Sequence, residues 1–255
     1  MTEPAPPRTI PAATVVIFRN AARGGPPELL MVQRAKEMRF AGGAAVFPGG
    51  RIDPEDHALA ARLGLPGEPD HAAARIAGIR ETLEETGLAI ALDRAVSGAE
   101  AADARAHLLE QGALAPVLER FGWTLAPDRL IPFAHWCPPH DGAFDTRFFL
   151  ADLGSGQVDI TVDATENTRL FWASADEVLA RDDQGELSVI FPTRRNLERL
   201  AQFATFADAC ADAARHPIER LHANRVDRDG EEWLMIPDGY GYPVLGQTMA
   251  SARRG

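Results

Sequence analysis

The chain has 255 residues, 45% of them hydrophobic and 25% charged, with a formal net charge of −11. This is the balance of a globular domain that buries its core without disulfide staples, and the acidic surface disfavours nucleic acid as a partner. No apolar run reaches membrane-spanning length, and the opening MTEPAPPRTIPAAT lacks the charged-then-apolar order of a signal peptide. Cys137 and Cys210 show no metal-type spacing and read as reduced thiols in a cytoplasmic protein.

Residues 1–9 read as a flexible tail and 10–255 as one domain. Residues 12–18 and 28–34 are β-rich strands joined by a Gly/Pro loop, and 44–47 is a short strand closed by Pro48, Gly49 and Gly50. Residues 51–69 are irregular, with a short helix over 56–63. Asp70 is the expected N-cap of a helix over 72–86, and Gly87 ends it. Residues 99–121 read as helical, and 130–137 and 144–152 as strands. Ser174 caps another helix. Pro192 opens a long amphipathic helix over 193–214, with Leu197, Leu200, Phe203 and Phe206 on one face. Residues 218–226 and 232–236 form a final strand pair. Strands and helices mix without regular alternation, so the class is α/β (α+β mixed) in layers.

The stretch Arg80-Glu81-Thr82-Leu83-Glu84-Glu85-Thr86-Gly87-Leu88 carries the chemistry. Glu81, Glu84 and Glu85 stand at i, i+3 and i+4, on one helical face. They repel one another, and they sit at the helix end whose dipole prefers cations. A divalent cation with oxygen ligands would supply the counter-charge, and Arg80 reaches Glu84 at i+4. On spacing alone, a solvated acidic helix end is the commoner reading. The glycine pair upstream, which lets the backbone approach a metal or ligand closely, favours a metal site.

Arg-Glu-x-x-Glu-Glu-x-Gly-aliphatic, preceded by Pro-Gly-Gly, resembles the box of the Nudix hydrolases. Arg80, Glu81, Leu83, Glu84, Glu85, Gly87, Leu88 and Gly50 fit it. The spacing departs: 29 residues separate Gly50 from Arg80, against a usual thirteen, so about sixteen are inserted, within residues 51–70. Asp56 takes the place of the box's first glutamate. The resemblance implies an α/β/α sandwich with a mixed central sheet and, in this chain, an added helical region over about 190–245. It implies Mg²⁺- or Mn²⁺-dependent hydrolysis of a pyrophosphate linked to a nucleoside, and a homodimer. By the match Glu81 and Glu85 are metal ligands, Glu84 joins them or orients water, and the Gly49 carbonyl completes the shell. Arg80 positions the glutamates. Glu166, on a downstream loop, is the candidate general base.

The segment 30–50, with Arg34, Arg39 and Gly43, is similar to what precedes the box in coenzyme A diphosphatases. Ala35 and Ala41 replace that pattern's serine and histidine. Residues 134–150 and 191–200 resemble the acyl-CoA diphosphatase branch, which also carries a long box insertion. The implied substrate is CoA or acyl-CoA, and Arg34, Arg39, Gly50, Arg51 and Arg147 are its candidate contacts, since arginine suits phosphate. Pyrophosphatase action on ADP-ribose, NADH or another dinucleotide is the alternative, and a non-catalytic binding module the second. His135 and His140 have no partner at a telling spacing and read as packed or solvent-facing. Trp123, Trp136, Trp172 and Trp233 read as core or interface.

Overall fold

The computed structural model describes residues 7–35, 41–154 and 167–252. β1 (Ile10–Arg19) is the organising strand. It runs parallel to β6 (Phe144–Asp152) over nine register pairs and antiparallel to β2 (Glu28–Arg34) and β4 (Gly49–Arg51). β2 continues the sheet to β3 (Ala45–Val46) and β7 (Asn167–Ala173), and β6 continues it to β5 (Ile131–Trp136) and β8 (Arg220–Leu221). The sheet is therefore mixed.

Both faces are buried, and the period-2 alternation of β1 shows how. Ala13, Val15 and Ile17 point to a core formed with α1 (Pro54–Arg62), α2 (Pro69–Thr86), α3 (Gly98–Gln111) and α4 (Leu114–Phe121). Val16 and Phe18 point to the opposite core, formed with α5 (Ala175–Asp183), α6 (Phe191–Leu200) and α7 (Phe206–Ala213). This is the expected α/β/α sandwich. β9 (Asn224–Arg228), β10 (Glu231–Met235) and β11 (Gly246–Thr248) form a separate small sheet, and α8 (Met249–Ala252) follows.

Several boundaries differ from the sequence reading. The expected helix over 193–214 is two helices. Thr205 adopts an extended backbone and its side chain accepts from the Asp208 amide, so a new N-terminus starts there. The break lets Phe206 meet Phe18 edge-on, with ring centroids 5.3 Å apart. The helix over 99–121 also divides, because Gly112 takes a left-handed conformation at φ 69° and ends α3. α2 starts earlier than expected, with Pro69 in its first turn, so Asp70 lies inside the helix instead of capping it. Gly49 and Gly50 do not close a strand but belong to one, β4. Of the final strand pair, residues 220–221 join the main sheet, and 224–228 pair with 231–235 in the small one. The Ser174 cap and the Gly87 terminus are as read, with Gly87 at φ 75°.

Among the described residues no helix is long and apolar enough to cross a membrane. Cys137 and Cys210 are free thiols.

Candidate active site

The last turns of α2 lie over β4, so the acidic run and the glycine pair meet as the sequence implied. Glu85 is buried. One of its carboxylate oxygens accepts from the Gly49 amide at 2.9 Å, the other from Asn167 Nδ2 at 3.2 Å. A Cβ placed on Gly50 would lie 2.3 Å from Glu81 Oε1, and one on Gly49 2.2 Å from the Ala13 carbonyl. Gly49 also sits at φ 153°. Neither position has room for a side chain.

Arg80 is the hub. Its Nη2 donates to Asp56 Oδ2 at 2.9 Å and to the Arg51 carbonyl at 2.9 Å. Its Nη1 donates to Glu81 at 2.9 Å and Glu84 at 3.4 Å. Arg80 and Asp56 are both buried. Asp56 thus holds the arginine of the carboxylate helix. Burial disfavours the Arg80 charge, but its hydrogen bond to Asp56 and the charges of Glu81, Asp56 and Asp53 outweigh it and raise its pKa. Burial pushes the Glu81 carboxyl up to about 8. Arg80 opposes this, while Glu85 and Glu84 add to it. Arg80 hydrogen-bonds three carboxylates, Asp56, Glu81 and Glu84, so the cluster is short of positive formal charge.

That deficit, and a donor set made only of carboxylate oxygens, fit a hard divalent cation. The cage is not closed: among the described residues no three Asp, Glu, His or Cys side chains are placed to hold a metal ion. Arg80 engages Glu81 and Glu84, and Gly49 with Asn167 engages Glu85.

Of the other sequence candidates, Arg34 lies in register with Asn167 on the neighbouring strand, which brings it beside Glu85's partner. Arg51 gives its carbonyl to Arg80, while its guanidinium stands 6.0 Å from the Phe144 ring. Arg147 lies two strands from Gly50, through Ala13. Arg39 and Glu166 fall outside the described residues.

Two functional neighbours escaped the sequence reading. Asn167 is buried and binds Glu85 from 82 positions away, with no local signal to reveal it. His135 does have a partner: its Nε2 meets Asp145, which also takes Arg220. His135 and Asp145 sit on paired strands, and an alternation count on each strand could have found them. Burial works to raise the Asp145 carboxyl, but hydrogen bonds from His135 and Arg220 hold it at about 2, below the ordinary 3.8. A carboxylate depressed by folding stabilises the fold above its ordinary pKa and loses that contribution as pH falls. Wild type is therefore expected to lose about 2 kcal/mol more than Asp145→Asn between pH 6 and pH 2. Urea midpoints at the two pH values check this; equal losses would refute it.

No family model matches the chain. The crystal structure of a NUDIX hydrolase from Alicyclobacillus acidocaldarius is 30% identical, covers 81% of this chain and 97% of its own, and superimposes with a TM-score of 0.67. Acyl-coenzyme A diphosphatase NUDT19 of Gallus gallus is 24% identical over 267 residues, spanning 82% of this chain and 68% of its own.

Proposed function

The chain belongs to the Nudix hydrolases, and from that premise we propose that it cleaves the pyrophosphate of CoA or acyl-CoA, giving 3′,5′-ADP and (acyl-)phosphopantetheine, with Mg²⁺ or Mn²⁺. The observation that carries the reading is the approach of Glu81 and Glu85 to a backbone stripped of side chains at Gly49 and Gly50, with Glu84 beside Glu81 on Arg80. The likeness to the chicken acyl-CoA diphosphatase supports the substrate.

When bound, the metal neutralises phosphate oxygens and polarises a water. Glu81 and Glu85 would hold it, Glu84 would complete the set or orient the water, and the Gly49 carbonyl would complete the shell. Arg80, itself held by Asp56, would keep Glu81 and Glu84 in place through one carboxylate oxygen each. Asn167 and the Gly49 amide fix the Glu85 carboxylate for the same purpose. Arg34 and Arg51, with Arg39, bind phosphate oxygens. Glu166 takes the proton from the attacking water.

Ala35 and Ala41, standing where the coenzyme A pattern has serine and histidine, favour a second reading: ADP-ribose, NADH or a dinucleotide as substrate. Purified protein incubated with CoA, ADP-ribose, NADH and diadenosine tetraphosphate, with Mg²⁺ or with chelator, separates the two. The expected result is CoA cleaved fastest and only with metal. Intact CoA beside cleaved ADP-ribose would sink the CoA reading.

A further inference from the structure

Gly50, Ala13, Arg147, His135 and Arg220 are successive register partners across β4, β1, β6, β5 and β8. Residues directly opposite in a ladder share a face. The missing side chain of Gly50 points at Glu81, so the whole row faces the carboxylate helix. At about 4.8 Å per strand, Arg147 lies roughly 10 Å along that face from Gly50. There the first turns of α2 cover a cavity of about 200 Å³ lined by His71, His135, Arg147, Phe148, Phe149 and Ile218 among others.

The charges around this cavity are not evenly answered. Asp145 is taken up by His135 and Arg220. Among the described residues the ion-pair partner of Arg147 is Asp70, whose carboxylate is 3.9 Å from Nη2, beyond hydrogen-bond reach, and largely exposed. Its Nη1 is buried with no hydrogen-bond partner among the described residues. A buried guanidinium donor left unmade is costly, and a planar donor pair suits phosphate oxygens. The cavity is below the size of a whole-ligand pocket, so it suits an end group.

We propose that this cavity is a second anion subsite, which seats a phosphomonoester of the substrate through Arg147, with His71 beside it. The proposal rests on the CoA reading for its substrate, since CoA carries such a group on the ribose next to its pyrophosphate. It makes Arg147 a specificity determinant, separating substrates that bear the extra phosphate from those that lack it.

The test is calorimetric binding of adenosine 3′,5′-bisphosphate and adenosine 5′-monophosphate to wild type, Arg147→Leu and Arg147→Lys, with CoA hydrolysis assayed on the same preparations. Wild type is expected to prefer the bisphosphate by roughly tenfold or more. Arg147→Leu should bring the ratio near one, and Arg147→Lys should retain part of it. A wild-type ratio near one, or a ratio unchanged in Arg147→Leu, overturns the subsite even if CoA is cleaved. A tenfold ratio lost in Arg147→Leu, in a protein that leaves CoA intact, upholds the subsite and overturns only the substrate reading.

Discussion

Arg80→Met should be the most destabilising single substitution at the site, costing about 3–5 kcal/mol. Arg80 is 4% and Asp56 1% exposed, and Arg80 Nε and Nη2 both donate to the Asp56 carboxylate. Removing the guanidinium leaves that carboxylate buried without its cation, and strips the Arg51 carbonyl and Glu81 of a donor as well. Leaving a buried charge unpaired is costlier than the pair itself is stabilising. Arg80→Met/Asp56→Asn should recover part of the loss, since both charges go together. Urea denaturation of wild type, Arg80→Met, Asp56→Asn and the double variant measures this. A loss under 1 kcal/mol in Arg80→Met would show that Arg80 does not hold the loop between β4 and α1.

Glu85→Gln should have the largest effect on turnover, lowering kcat roughly 10²–10⁴-fold while the protein stays folded. The glutamine oxygen can still accept from the Gly49 amide, so the local architecture keeps one of its two ties. What is lost is the charge of the best-held carboxylate in the cluster. Unchanged kcat would remove Glu85 from the proposed mechanism.

The carboxylate helix was legible because its information is local. Spacing at i, i+3 and i+4 sets one face, Gly87 sets the end, and the Pro-Gly-Gly run marks the close approach. The sandwich was implied by the resemblance to the Nudix hydrolases, while the strands over 12–18 and 28–34 were legible from their β-rich composition. What the sequence did not reveal is carried by distant pairs. Asp56 reaches Arg80 across 24 positions because α1 folds the insertion back onto α2. Asn167 meets Glu85 only because β7 joins β2. His135 met Asp145 for the same reason, through the β5–β6 ladder. The split of the helix over 193–214 was missed because its apolar spacing runs through the break. The evidence against continuity was Thr205 with Asp208 three residues on, a capping pair hidden inside a periodic pattern.

Glu81, Glu84 and Glu85 are proposed to form a divalent-cation site. Titration of Mn²⁺ into wild type and Glu85→Gln, followed by the electron paramagnetic resonance of the free ion, addresses it without substrate. The account predicts saturable binding by wild type, weakened tenfold or more in Glu85→Gln. Equal Mn²⁺ binding by the two proteins would contradict it.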